Sequence, residues 1–243
     1  MNVTKGYVIY VAAVGSFLLG GCQTYPPVRG TASSPPASTQ KTAGSTTQKA
    51  IGHAGTGSTA AAAPSHSLKS AKDVFYVYAD KDARVNHFAP SGWMGDYGDL
   101  KIDDGYTKDV YDGKTAIKIT YTAEGTQGAN WAGIYWQHPV NNWGAKTGGY
   151  DLSGMKKLTF WAKGGRGGET IAEFKVGGIT GEHGDSDSAK IGPVVLTREW
   201  KQYTIDLADK DLSHIVGGFC WSASRDDNPH GFRLYLDEIR YER

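Results

Sequence analysis

Between residues 71 and 243 the chain repeats one pattern. Short runs of alternating or wholly apolar residues, rich in β-branched and aromatic types, are cut apart by Gly, Asp and Asn. The runs fall at 74–79, 116–121, 131–138, 157–162, 172–176, 203–207, 217–221 and 232–241, each the length of a strand. Turn pairs such as Asp112-Gly113, Gly148-Gly149, Gly164-Gly165 and Asn228-Pro229 stand between them. No long stretch carries helical periodicity; the one helix-like piece, 209–215, is short. Strands without intervening helices must bury their apolar faces against one another. The pattern therefore predicts an all-β domain over 71–243, a sandwich or barrel of antiparallel sheets.

The rest of the chain is of another kind. Residues 22–70 are nearly all Ser, Thr, Ala, Gly, Pro, Gln and Lys, without Asp or Glu. Such a composition cannot bury enough surface to offset its ordering entropy, so the segment is expected to be a flexible linker spanning about 40 Å. Before it, Lys5 and an apolar run from Tyr7 to Gly21 form a secretory signal over 1–21, too short for a comfortable transmembrane helix. The closing Leu19-Gly20-Gly21-Cys22 resembles a bacterial lipobox. The resemblance implies cleavage before Cys22, lipidation of its sulfur and anchoring by several acyl chains. Gln23, rather than Asp, after the cysteine implies sorting to the outer membrane, facing the periplasm or the cell surface.

The five basic residues of 1–70 leave 21 basic against 25 acidic residues in the remainder, a net charge of about −4. A mildly acidic domain argues against nucleic acid, because phosphate binding needs a basic patch. With Cys22 lipidated, Cys220 stands alone and no internal disulfide forms. Nothing near Cys220 would activate it, and a buried inert thiol is expected.

The densest aromatic group is Trp131-Ala132-Gly133-Ile134-Tyr135-Trp136-Gln137-His138, followed by Trp143. On a strand, Ile134 and Trp136 share one face, expected to be core; Trp131, Tyr135 and Gln137 share the other. Flat aromatic faces stack on pyranose rings and polar side chains bond sugar hydroxyls, so this second face is a candidate sugar platform. By the same alternation Leu158, Phe160 and Ala162 point to the core while Trp161 and Lys163 point away. Likewise Phe174 and Val176 point in, and Glu173 and Lys175 out. The outward sets are expected to line one concave sheet, or else to be a solvated, salt-bridged face. The loop 177–190 carries His183 and Asp185, candidates for ligand contact, a metal or an acid–base pair, set against ordinary turn residues. Glu173 with Asp185 is the sole carboxylate pair to nominate for glycosidase chemistry, and neither is tuned by its neighbours. The segment 86–99, with Trp93, has no clear assignment beyond a loop covering the sandwich edge.

Four segments carry a family resemblance: Asp112-Gly113-Lys114-Thr115-Ala116-Ile117-Lys118-Ile119; Tyr150-Asp151-Leu152-Ser153 with Leu158-Thr159-Phe160-Trp161-Ala162-Lys163; Trp200-Lys201-Gln202-Tyr203-Thr204-Ile205-Asp206-Leu207; and Leu234-Tyr235-Leu236-Asp237-Glu238-Ile239. In order and spacing they resemble the jelly-roll carbohydrate-binding modules of the galactose-binding-like superfamily, near those that bind β-glucans. The resemblance implies an antiparallel jelly-roll β-sandwich. It also implies one structural calcium between the first and last strands, held by Asp80 and Asp237 with Asp82 and Asp104 nearby, although two carboxylates fall short of the six to eight oxygens that Ca2+ takes.

The sequence therefore points to a non-catalytic, lipid-anchored polysaccharide-binding protein. Its expected contacts are Trp131, Tyr135, Gln137, Trp143, Trp161, Glu173, Lys175, His183 and Asp185. An alternative is an interaction lipoprotein docking a protein partner on the same face, since exposed aromatics serve protein interfaces as well. A glycoside hydrolase ranks third.

Overall fold

The computed structural model describes residues 73–243. The signal segment 1–21, Cys22 and the whole 22–70 linker with its boundary lie outside the described residues. Thirteen strands form the domain: β1 (Val74–Tyr78), β2 (Ala89–Gly95), β3 (Leu100–Tyr106), β4 (Ala116–Tyr121), β5 (Trp131–Gln137), β6 (Lys157–Gly164), β7 (Thr170–Ile171), β8 (Glu173–Gly177), β9 (Ser188–Ile191), β10 (Val194–Val195), β11 (Lys201–Asp206), β12 (Gly217–Ser224) and β13 (Phe232–Glu242). One 3-10 turn, Tyr97–Asp99, joins β2 to β3.

Two antiparallel sheets face each other. One runs β11-β6-β13-β4-β3, with β1 also paired to β13; the other runs β2-β5-β12-β8-β9, and β7 with β10 makes a small ribbon. The predicted inward residues meet between the sheets: Ile134, Leu158, Phe160, Ala162, Phe174 and Val176 are fully buried, and Trp136 is 1% exposed. Phe160 packs at 4.7 Å on Phe174 and 5.2 Å on Phe219, which in turn lies 5.5 Å from Trp136. Each such side chain removed from water stabilises the fold by about 1.5–3 kcal/mol, which suffices without a disulfide. Cys220 is free and buried, and burial pushes its thiol pKa far up, as its inert role requires.

Three elements differ from the sequence reading. The segment 86–99 is not a loop: Ala89–Gly95 is the edge strand of the second sheet, paired with β5 from Ala89 opposite Gln137 to Gly95 opposite Ala132. The loop after β8 is shorter than expected, because β9 begins at Ser188. The piece 209–215 is not helical. Leu152 N–H donates to the Leu212 carbonyl, and Tyr150 and Ile215 exchange backbone hydrogen bonds in both directions. Partners elsewhere in the chain thus claim the backbone groups that a single helical turn would have had to satisfy internally.

Candidate functional site

The outer face of the second sheet is built around β5. Trp131, Gly133, Tyr135 and Gln137 point outward from it, and the pairing sets Ser224 beside Trp131, Ser222 beside Gly133 and Cys220 beside Tyr135. On the far side β8 adds Glu173 beside Ser222 and Lys175 beside Cys220. On the near side β2 adds Gly92 beside Tyr135 and Met94 beside Gly133. The centre of the face is floored by Gly133, Ser222 and Cys220, with the Met94 side chain reaching over Gly133 from the sheet edge.

Two indoles stand at its ends. Trp131 is 40% exposed and Trp143, from the loop after β5, is 44% exposed. Trp143 meets Tyr135 edge-on, centroids 5.9 Å apart at 84°. Tyr135 itself is buried, its hydroxyl donating to the Gly177 carbonyl at 3.0 Å. It supports Trp143 rather than offering a free face. Trp131 and Tyr135 are four residues apart on one strand, about 13 Å at 3.3 Å per residue. The two indoles thus bracket a span longer than one sugar ring.

Buried polar side chains hold both ends. Ahead of Trp131, Asp96 is fully buried and accepts the amides of Gln127, Ala129 and Asn130 at 2.9, 2.9 and 2.8 Å. Its own N–H donates to the Trp131 carbonyl at 2.7 Å. Asp99 accepts the amides of Gly125 and Thr126; against the opposing pull of burial, these bonds hold its pKa below the ordinary carboxylate value. Around Trp143, Gln137 is 1% exposed. Its Oε1 accepts from Ser91 Oγ at 2.9 Å and its Nε2 donates to the Asn142 carbonyl at 3.0 Å.

The nine expected contact residues therefore separate. Trp131, Trp143, Glu173 and Lys175 share the outer face of the second sheet, with Tyr135 beneath Trp143. Gln137 is spent on the Trp143 loop, because Ser91 and Asn142 saturate its amide. Trp161 is not on this face at all. It sits on β6 in the other sheet, where Tyr111 stacks on it at 3.7 Å and 15°, occupying the ring face a sugar would need. Lys163, next along, pairs with Asp109 at 2.5 Å, and Asp109 also accepts from Trp200 Nε1 at 2.9 Å.

Asp185 turns inward, accepting the amides of Ile179, Val216 and Gly217. Burial raises its pKa while those amides and the neighbouring His214 pull it down. His183 contributes its backbone, donating to the Gly144 carbonyl at 2.8 Å. No His183–Asp185 pair forms. Glu173 is bound to Lys190 at 3.0 Å, so the nominated glycosidase pair consists of two engaged carboxylates. Lys175, Lys190 and Lys210 line a depression of about 570 Å3 at the β9 end of the face, with Ser188, Ala189 and Asp206.

The residues expected to hold calcium do not fit a cation. Asp80 Oδ1 accepts the amides of Lys114 and Thr115, each at 2.7 Å. Asp237 accepts those of Tyr111 and Asp112 on Oδ2 and of Glu238 on Oδ1. N–H donors aimed at both carboxylates place positive dipole ends where a metal would sit. Asp82 and Asp104 do not complete a set: Asp104 pairs with Lys81 at 3.2 Å, and among the described residues no group of three or more metal-ligating side chains converges.

Asp96, Asp99, Ser91 and Asn142 escaped the sequence reading. The available signal was an acid directly after the Gly-rich 91–95 stretch and an Asn directly before Trp143, both ordinary turn chemistry in a linear sequence.

An antiparallel sandwich displaying aromatic rings in a polar frame on one sheet is an architecture suited to binding. Residues 75–223 match the family model described as Carbohydrate binding domain 30, and the chain belongs to that family. It is a carbohydrate-binding protein, and the binding is non-catalytic. Among solved structures it is similar to a crystal structure of a family 30 carbohydrate-binding module, at 17% identity and a TM-score of 0.46 over 70% of this chain and 87% of that one. It is likewise similar to the family 30 module of the cellulosomal cellulase Cel9D-Cel44B of Clostridium thermocellum (18%, TM-score 0.46, 69% and 96%). A third is the family 11 module from Clostridium thermocellum in complex with a β-1,3-1,4-mixed-linked tetrasaccharide (16%, TM-score 0.40, 63% and 84%). No curated protein matches the chain.

Proposed function

We propose that the domain binds a polysaccharide chain laid across the outer face of the second sheet, between Trp131 and Trp143. The observation that carries this reading is the pair of exposed indoles at opposite ends of one face, with the small side chains of Gly92, Gly133 and Ser222 between them. Stacking on the indoles supplies the affinity. Glu173, with Lys190 bound to it, and Lys175 stand at the side of the span to bond hydroxyls. Gly133 and Ser222 keep the floor low, and the flexible Met94 side chain, whose methyl lies close to Gly133, is free to repack beneath a bound chain. No residue on the face offers a free acid pair, so the polymer is held and not cut. β-Glucans are the first class to try, on the motif resemblance described above.

We further propose that the domain works outside the cytoplasm, tethered through lipid on Cys22 by the 22–70 linker. The lipobox-like Leu19-Gly20-Gly21-Cys22 supports this. Cys22→Ser should move the protein from the membrane fraction to the soluble fraction and abolish incorporation of labelled palmitate. Unchanged fractionation would overturn the tether.

The binding reading is tested by intrinsic Trp fluorescence against soluble glucans, mannans and peptidoglycan fragments. A saturable shift with one polymer, weakened at least about tenfold in Trp131→Ala, is expected, since anchors of this kind contribute more than about 1.4 kcal/mol. A folded protein silent across the panel would sink it and turn attention to a protein partner on the same face.

A further inference from the structure

Trp143 is 44% exposed and its ring meets one other aromatic ring, Tyr135, edge-on. Its direction therefore depends strongly on the backbone that carries it, and the centre of that backbone turn is held by the side chain of Asn142. Asn142 is fully buried. Its Oδ1 accepts the amides of Gly144 and Lys146, each at 3.1 Å, and its Nδ2 donates to the Lys146 carbonyl at 2.8 Å. Its carbonyl takes the Gln137 Nε2 donor at 3.0 Å, and its own N–H goes to the Pro139 carbonyl at 3.2 Å. Ser91 closes the network: its hydroxyl donates to Gln137 Oε1 and accepts the Asn141 amide at 3.0 Å. The residue after Trp143 is equally fixed. Gly144 adopts φ +83° against the Thr180 carbonyl, where a β-carbon would collide, and its carbonyl receives the His183 amide.

We infer that Asn142, backed by Gln137 and Ser91, is the positioning residue that aims Trp143 across the binding face. The edge strand β2 and the central strand β5 thereby set one end of the platform without touching the sugar. The Asn142 side chain reads the turn from within and converts sheet geometry into ring direction. The inference rests on the proposed platform for its link to binding, but the aim of the ring is measurable without any ligand.

The test uses the full chain in detergent, labelled with 5-fluorotryptophan, whose seven Trp all lie in the described domain. The Trp143 resonance is identified by its loss in Trp143→Phe. In Asn142→Ala that resonance should shift or broaden while those of the core residues Trp136 and Trp221 hold. Affinity for mixed-linked β-glucan should fall about tenfold. The double variant Asn142→Ala/Trp143→Ala should bind no more weakly than Trp143→Ala, because the two residues act through one ring. Asn142→Asp keeps the acceptor for Gly144 and Lys146 but sets its second carboxylate oxygen against the Lys146 carbonyl, so it should recover only part of the loss. An unmoved Trp143 resonance in folded Asn142→Ala, or losses that multiply in the double variant, would overturn the inference. If Asn142→Ala does not fold, Ser91→Ala decides: it removes only the outer bonds of the network, and a Trp143 resonance that stays in place refutes the assignment. If the parent chain does not bind this glucan, the platform reading fails for that polymer while the resonance still decides the aim of the ring.

Discussion

Trp161 and Trp131 read alike in sequence, each an aromatic on the outward phase of a strand. What separates them is a residue fifty positions before the first: Tyr111 lies flat on Trp161. No aromatic ring stacks on Trp131, which stays 40% exposed. Gln137 is the converse case, outward by phase yet buried by Ser91 and Asn142. Alternation assigns a face, whereas exposure depends on loops whose paths are not local. Asp237 shows the same dependence in its ionisation. Burial pushes its pKa up to about 7, with the amides of Tyr111, Asp112 and Glu238 pulling the other way. A folded-state pKa raised above the ordinary value of about 3.9 means stability that is full below that value and is lost as pH rises through 7. The parent domain should therefore lose melting temperature between pH 5 and pH 8 relative to Asp237→Asn. A difference between the two that is flat with pH would contradict the assignment.

At the scale of elements, the central strands and the marginal strands β1 and β11 were legible, and the edge strands β2 and β3 were not. β4, β5, β6 and β12 carry β-branched and aromatic residues because one or both of their faces are packed. β2, with the sequence APSGWMG, reads as a loop, and β3, with LKIDDGY, carries no strand pattern. Both lie at sheet edges, where Gly, Pro and Asp are tolerated. The buried acids that pin loops could not be found from sequence either, because a carboxylate that collects amides looks the same as one in water. Asp96 is the clearest instance. In Asp96→Ala the amides of Gln127, Ala129 and Asn130 lose their acceptor. These amides lie in a partly exposed loop where water can replace the lost acceptor, so the domain should be destabilised by about 1–3 kcal/mol. Hydrogen exchange should show those three amides losing protection first. Unchanged protection in that loop would remove Asp96 as the support of Trp131.

Across the whole molecule, the sandwich class, the inward faces and the outward, exposed placement of Trp131 followed from the pattern of residues. Asp80 and Asp237, which the family resemblance assigns to calcium, hold the 111–115 turn through its N–H groups. Chelation with EDTA should accordingly leave the melting temperature unchanged, and a fall of several degrees, restored by Ca2+, would contradict that reading. The two sheets divide the work. One buries its aromatic rings under its own loops, and the other presents two indoles to solvent. The most direct measurement is calorimetric titration of the polymer that responds in the glycan panel against the parent chain and its Trp131→Ala, Trp143→Ala and Trp161→Ala variants. The account predicts affinity lost by about tenfold or more in the first two and retained in the third, which should only melt at a lower temperature. Loss of binding in Trp161→Ala with Trp131→Ala unaffected would place the site on the opposite sheet and contradict the account.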